Sequence, residues 1–400
     1  MTAATFLHGV EVIQADAGPR PITTVSSAVI GLVGTAPGAS ATDFPLNTPV
    51  LIAGSRTAAA LLRGADGKGA GSLPDAVDSI LDQGGALMVV VRVAEGETDA
   101  ETLAAVQGQG SDYSGVFALL HAESAVGYTP RLLLAPGFTD FQATDANGVT
   151  LANPVVQALK TVAAQLKAIA IADAPDTTTT EATAYATRHG SDRLYVVYPK
   201  VLRTNKAGAI VAMPASSCIA GVMARTDYEQ GFWKSPSNEE ILNIIGTSQN
   251  IEFNLSSPTS QANVLNEGNV TTIVRQAGRG FRVWGNHTST TDTRYQFVSV
   301  RRTADIINDS VVRAHIWAVD QGITKNYVSE VVEGVNAYLR ELKALGAIID
   351  GRCWCDPDLN PASQVQKGIV VFSFDFTPPY SAEHVIFRSQ LTNAYITEIF

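Results

Sequence analysis

Cysteine is almost absent from this sequence: three residues in 400, an odd number in a long chain. That argues against a disulfide-stapled scaffold and for a reducing compartment. Charge is scarce as well, at 16% of residues, against roughly a quarter in ordinary soluble domains. So little charge fits a chain whose surface is largely covered by partners. Lys and Arg are outnumbered by Asp and Glu, 28 to 38, giving a formal net charge of −10. An acidic chain repels phosphate, so nucleic acid is not expected as a direct partner. No apolar run approaches the ~18–20 residues of a membrane span, so no membrane insertion is expected. Met1 to Phe6 offer neither a basic nor an apolar segment of a signal peptide. Internal repeats and low-complexity tracts are missing too. What is present is apolar: 46% of residues, enough for a large core, over a length that suggests two or three domains.

The usual chemical signatures are also missing. There is no G-x-x-x-x-G-K-[ST], no H-E-x-x-H and no G-x-S-x-G. Gly67-Lys68-Gly69-Ala70-Gly71 lacks dinucleotide-binding spacing and reads as a loop. His8, His121, His189, His287, His315 and His384 never stand at ligand spacing from one another. Cys353-Trp354-Cys355 would share a face on a strand, but no second cysteine pair completes a metal site. Asp356-Pro357-Asp358-Leu359-Asn360 starts like a calcium loop and lacks its glycine and final glutamate. Asp140, Asp173 and Asp176 follow strand ends, where wound α/β enzymes hold catalytic groups, yet capping is the simpler role. The expectation is no catalytic residue, no metal and no cofactor.

Hydrophobic periodicity predicts strands at 25–34, 49–52, 86–93, 131–135, 168–172 and 194–198. Helices are predicted at 56–63, 74–81, from Pro154 with Asn153 as cap, and at 180–188. Strand, helix, strand in that order predicts parallel wound layers. A hairpin is predicted at 270–276 and 281–284 around Ala277-Gly278-Arg279-Gly280. Later the pattern predicts a strand at 296–302, helices at 303–320 and 327–345, and strands at 347–355, 368–376 and 385–391. The two chain ends stand apart. Residues 8–16 are strand-like, with Val10 and Val12 on one face and Glu11 and Ile13 on the other, and Gly18-Pro19-Arg20-Pro21 separates them from the body. The last ten residues, with Tyr395, Ile396, Ile399 and Phe400, are apolar without an evident local partner. A lone strand needs a sheet to complete, so both ends are expected to add to other subunits.

One charge feature remains. Between Val270 and Arg302 stand Arg275, Arg279, Arg282, Arg294, Arg301 and Arg302 against Asp292 alone, a net +5 in an acidic chain. The cluster fits either arginines on exposed strand faces or a surface for an acidic macromolecular partner.

Several separated blocks together resemble contractile phage tail sheath proteins, with the sheaths of R-type pyocins and short-sheath phages nearest. They are His8-Gly9-Val10-Glu11-Val12, Val29-Ile30-Gly31-Leu32-Val33-Gly34-Thr35-Ala36-Pro37 and Leu133-Leu134-Ala135-Pro136-Gly137. Further on come Gly231-Phe232-Trp233-Lys234-Ser235-Pro236, Arg282-Val283-Trp284-Gly285-Asn286, Trp317-Ala318-Val319-Asp320-Gln321-Gly322-Ile323-Thr324-Lys325 and Asp356-Pro357-Asp358-Leu359-Asn360. His287 departs from the pattern, where arginine is common. The resemblance covers essentially the whole chain and implies a multi-domain α/β fold. Residues 1–22 would be an N-terminal arm, 23–105 the first part of an inner α/β domain, 106–275 a central outer domain of subtilisin-like fold, 276–390 the rest of the inner domain, and 391–400 a C-terminal arm. It implies a structural subunit, not an enzyme, that polymerises in six-membered rings and helically around an inner tail tube. Contraction would drive the tube through a target envelope. Implied partners are other copies of the chain, the tube protein, baseplate and tail terminator proteins. Arg275, Arg279, Arg282, Arg301 and Arg302 are the candidate tube-facing residues, with the two late helices as the competing surface. The particle would be a virion tail or a bacteriocin, assembled in a bacterial cytoplasm. The alternatives are a two-domain α/β hydrolase-like enzyme, favoured by a catalytic set converging near 137, 173 and 199, or another tail or baseplate component.

Overall fold

The computed structural model describes residues 21–64, 67, 69–205, 208–393 and 395. Val10, Glu11, Val12, Ile13, Ile396, Ile399 and Phe400 lie outside the described residues.

Strands β1 (Ile30–Thr35), β2 (Pro49–Ala53), β3 (Leu87–Val93), β4 (Leu132–Leu134), β5 (Ile169–Asp173) and β6 (Leu194–Val197) follow the predicted apolar runs closely. A small sheet of β7 (Val201–Thr204), β8 (Ile210–Met213) and β9 (Gly246–Thr247) comes next, then the predicted hairpin β10 (Val270–Gln276) and β11 (Gly280–Trp284). The main sheet has eight strands in the order β11-β10-β6-β5-β4-β1-β3-β2. From β10 to β3 all pairings are parallel. The edge strand β2 departs from the expected parallel layer: it runs antiparallel to β3, with Leu51 opposite Val89. Sequence order alone does not set strand direction when the crossover returns on the sheet's edge.

Eight helices accompany these strands: α1 (Arg56–Ala60), α2 (Leu73–Leu81), α3 (Asp99–Gln107), α4 (Ala122–Val126), α5 (Pro154–Leu166), α6 (Thr179–His189), α7 (Ala215–Gln230) and α8 (Gln261–Glu267). They cover both faces of the sheet. Ile30, Leu32, Met88, Val90, Ile169 and Ile171 pack with α1, α2 and α7. Their neighbours Val29, Val33, Val89, Val91, Ala170 and Ala172 pack with α3, α5 and α6. That alternation is why the strands read as unbroken apolar runs. Asn153 caps α5 as expected, its Oδ1 accepting from the Val155 and Val156 amides at 2.8 and 3.1 Å. Helix α7 had no clear periodic signal because it is buried nearly all round, with Ser216, Ser217, Ala220, Gly221 and Ala224 inside. A Cβ at Gly221 would lie 2.7 Å from the Gln83 side chain, so glycine is what lets α7 approach the end of α2.

The late chain forms a second packed unit. Helices α9 (Val298–Ala314) and α10 (Lys325–Leu345) pack with β12 (Asp350–Trp354) and β13 (Ser373–Thr377), and α11 (Ala362–Val365) lies between the two strands in sequence. Its core is Ile306, Ile307, Val335, Tyr338, Leu339, Leu342, Ile348 and Cys353, joined by Ile22 from the start of the described chain. The Val25 amide donates to Ser310 Oγ, and Thr24 Oγ1 and the Tyr338 hydroxyl are 3.0 Å apart. Early and late chain therefore meet here through residues 22–25. The expected divide at 105/106 falls inside one sheet, since β1 pairs with both β3 and β4. The divide at 275/276 likewise falls within β10.

Two element assignments change. Residues 298–302 are the start of α9 rather than a strand; a short apolar run such as Val298-Ser299-Val300 fits either period. Residues 385–391 form no strand in this chain, because a strand exists only when something pairs with it.

Candidate assembly surfaces

The β12–β13 pair runs antiparallel, Cys353 opposite Phe374, and among the described residues neither strand has a second neighbour. Strand β13 leaves an outer edge of main-chain donors and acceptors, the usual template for adding another strand, whereas on β12 Asn336 of α10 caps Cys353, accepting from its N–H at 2.7 Å and donating to its carbonyl at 3.0 Å. Following β13, the chain from 378 to 392 has neither helix nor strand. Tyr380, Val385, Ile386, Phe387, Leu391 and Tyr395 are exposed along it, Phe387 at 90%. An apolar extended segment and an open sheet therefore occur in one subunit without satisfying each other.

The candidate tube-facing arginines separate into two groups. Arg275 stacks over Phe281 at 5.5 Å and Arg279 sits in the hairpin turn, both exposed. Arg282 turns inward and donates to the Asn238 carbonyl. Arg301 and Arg302 are not a charged outer surface, which corrects the sequence reading. Arg302 pairs with Asp227 at 2.5 Å, the two side chains 4% and 3% exposed. Arg301 pairs with Asp305 and Asp192 and stacks on Tyr295 at 4.5 Å. Lying on a buried helix, they find carboxylates inside the subunit, because a charge without a partner there would be costly.

These pairs belong to a larger ladder that joins α9 to the main sheet. Arg131, Lys167 and Arg193 lie just ahead of the parallel strands β4, β5 and β6. Arg131 and Lys167 both reach Asp309, and Arg193 reaches Asp305 with two hydrogen bonds of 2.7 and 2.9 Å. Arg313 then links Asp309 to Glu123. Burial works against ionised Asp309, but the Arg313 hydrogen bond and the Arg131 charge outweigh it and hold its carboxyl below the usual range. The Arg313 hydrogen bond likewise holds Glu123 down. The sequence reading missed Asp305 and Asp309. Their signal was the four-residue spacing of Arg301–Asp305 and Asp309–Arg313, beside a basic residue ahead of β4, β5 and β6.

Polar groups do converge at the strand ends where an enzyme would keep its site. Asp173 Oδ2 accepts from Ser216 Oγ at 2.6 Å and Oδ1 from the Ser216 amide at 2.8 Å. Lys200 pairs with Asp140 at 2.8 Å, and Ser248 donates to Asp176 at 2.7 Å. Ser216 and Asp173 are 1% and 3% exposed, so no substrate reaches them. Their bonds tie the start of α7 to β5, which is structural work. At the other candidate, burial pushes the Cys353 thiol up to about 11, while Cys355 accepts from the Asn360 amide. Among the described residues no three His, Cys, Asp or Glu side chains gather as a metal cluster.

Comparison with known proteins agrees with this geometry. The model of the phage tail sheath protein central domain matches residues 93–289, and that of the phage tail sheath C-terminal domain matches 290–392. A putative prophage major tail sheath protein of Pseudomonas aeruginosa is 42% identical over 400 residues, covering 99% of each chain. The tail sheath protein of Escherichia phage P2 is 34% identical, covering 98% of each. In fold, the chain is similar to one from the anti-feeding prophage baseplate, with a TM-score of 0.71 at 20% identity, covering 97% of this chain and all of that one. A chain of the contracted anti-feeding prophage helical sheath gives 0.68 at 22% identity, with the same coverage. The chain belongs to the phage tail sheath family: it is a structural subunit of a contractile tail sheath, not an enzyme.

Proposed function

We propose that the subunit builds its sheath by strand exchange through the β12–β13 sheet. The observation that carries this is the pairing of an open two-stranded sheet with an exposed apolar segment, residues 384–393, that finds no strand partner at home. Inserted beside β13 of a neighbouring copy, such a segment gains main-chain hydrogen bonds with little demand on side chains. The N-terminal arm, with Val10, Glu11, Val12 and Ile13, extends the sheet further as a strand from another copy; Tyr395, Ile396, Ile399 and Phe400 anchor the C-terminal arm. Contacts of this kind are heterologous, so they propagate as stacked rings instead of closing. The arms keep neighbours attached while the bodies rotate from an extended to a contracted lattice around the tail tube, with baseplate and terminator proteins at the ends. Assembly takes place in the host cytoplasm.

Deleting residues 1–17 or 384–400 tests the exchange. Each truncated protein should fold cooperatively and remain a monomer, while the full chain forms tubes visible by negative-stain microscopy. Ordered tubes from either truncation, or loss of folding, would show that the segment belongs to its own subunit's core.

For the tube contact, the exposed Arg275 and Arg279 support a charged surface at the β10–β11 hairpin. Exposed ion pairs contribute only about 0–1 kcal/mol each and are screened by salt, which suits a grip that must release. Replacing both by Glu should weaken assembly on tubes, most at low salt. Unchanged co-sedimentation with tubes would move the contact to α9 and α10.

A further inference from the structure

We infer that Asn336 determines where the small sheet can grow: it closes the outer edge of β12, so that a strand from another copy is accepted at β13 alone. The closure stands on the geometry of one subunit; its consequence for assembly rests on the strand exchange proposed above.

Asparagine is a poor choice for the middle of a helix, because its amide competes for main-chain hydrogen bonds. In α10 the Asn336 amide is spent on the neighbouring strand instead. Its Oδ1 accepts from the Cys353 N–H and its Nδ2 donates to the Cys353 carbonyl, so one side chain takes both main-chain groups that Cys353 would offer to an incoming strand. The next outward donor along β12 is the Gly351 N–H. It is taken by Asp350 Oδ1 at 2.9 Å, and Lys343 of α10 holds Asp350 Oδ2 at 2.8 Å. Seven residues of helix advance about 10.5 Å and three of strand about 10 Å, which brings Asn336 and Lys343 into register with Cys353 and Asp350. Helix α10 thus lies along this edge, running opposite to the strand, while Val335, Leu339 and Leu342 share a core with Cys353.

The partner strand has the opposite arrangement. Opposed residues of an antiparallel pair exchange both main-chain hydrogen bonds or neither. Cys353 gives both of its groups to Asn336, so Phe374 opposite it exchanges none, and its N–H and C=O point to the outer edge of β13. Alternation sets Phe376 the same way. Among the described residues no side chain hydrogen-bonds the main chain of either phenylalanine. An edge whose donors and acceptors are taken cannot pair, and an edge left open can. The subunit therefore offers a strand one place to dock. That fixes the side on which arms from other copies add, and it keeps two subunits from pairing β12 to β12.

Amide exchange in the unassembled full-length subunit reads the closure, and polymerisation reads its consequence. In Asn336→Ala the Cys353 amide should exchange roughly twofold to tenfold faster than in wild type, the scale of one hydrogen bond. Negative-stain microscopy and sedimentation should find a several-fold lower yield of ordered tubes from this variant, with irregular aggregate in their place. Asn336→Asp keeps the acceptor but cannot donate to the carbonyl, so it should fall between the two proteins on both measures. A merely structural role predicts that Asp is the worse replacement, because alanine is the better helix former. Unchanged Cys353 exchange in Asn336→Ala would overturn the inference, as would wild-type tubes from it, or a tube yield from Asn336→Asp no higher than from Asn336→Ala. Wild type alone supplies a second measurement if a variant fails to fold. On assembly into tubes the Phe374 and Phe376 amides should gain protection, and those of Gly351 and Cys353 should not. Equal gains on both edges would overturn the closure. Gain on neither edge would overturn the strand exchange, and with it this role in assembly, while Cys353 exchange in the subunit would still report the bond to Asn336.

Discussion

Asp173 is a carboxylate whose surroundings have reversed its usual preference. Burial pushes it up to about 6, even though Ser216 donates to it twice. The folded value lies above the ordinary carboxylate value near 4, so the fold binds this proton more tightly than the unfolded chain does. The contribution to stability is fully present below pH ~4 and is lost as pH rises through about 6. His189 acts in the opposite sense: burial holds it down to about 4, so its contribution is present at neutral pH and is lost as pH falls from ~6.5 through about 4. Asp173→Asn isolates the first effect. The amide can still accept from the Ser216 N–H and donate to Ser216 Oγ, and only the charge is removed. The variant should exceed wild type by on the order of 2 kcal/mol at pH 8 and converge with it near pH 4. Urea midpoints at the two pH values measure this; a variant weaker than wild type at pH 8 would mean that the ionised form is what the fold uses.

Helix α9 decides whether the late chain and the main sheet move together. Its Asp305 and Asp309 take the basic residues that precede three parallel strands, and its Ile306 and Ile307 enter the other core. Asp309→Asn leaves Arg131, 4% exposed at its side chain, without its counter-charge. Removing one member of a buried pair typically costs about 3–5 kcal/mol, and the value here belongs at the lower end because Arg313 and Lys167 reach solvent. The denaturation midpoint should fall, and the unfolding transition should broaden or split as the late unit loosens first. Asp350→Asn, which breaks only the exposed pair with Lys343, should leave the midpoint in place. Because Asp309 and Glu123 are both held below the usual carboxylate range, what they add is present above pH ~4 and is lost as pH falls further. Acid should therefore loosen the ladder, with the Asp309→Asn variant less sensitive than wild type.

For the whole molecule, the relevant question is which surfaces the polymer needs. The turn Asp145-Ala146-Asn147-Gly148 is exposed at its tip and closed locally, with the Gly148 amide donating to the Asp145 carbonyl and Thr144 bridged to Thr150. A small tag inserted between Asn147 and Gly148 should leave tube formation intact, as scored by microscopy and sedimentation. Loss of tubes from a folded, tagged monomer would place this turn in an interface. An acidic chain that is 16% charged also fits a subunit whose ends and edges are covered once assembled, since unshielded apolar edges would otherwise aggregate.

By itself the sequence determined the strands of the main sheet, because a strand buried on both faces has no choice but to be apolar throughout. It determined the cap of α5, since Asn153 before Pro154 has few other uses, and the amphipathic α10, whose period of valines and leucines is unmistakable. It also carried the family, through motif blocks separated along the whole chain. Tertiary structure alone decided the rest. The direction of β2 depends on where the chain returns to the sheet, and helix α7 leaves no periodic signal because it is surrounded. The six arginines between 270 and 302 looked alike as charges; only their neighbours distinguish Arg302, closed against Asp227, from Arg279, open to solvent. The segment 385–391 is strand-like in sequence and unpaired in the subunit, because pairing is a property of two segments and its partner is not found within the described chain.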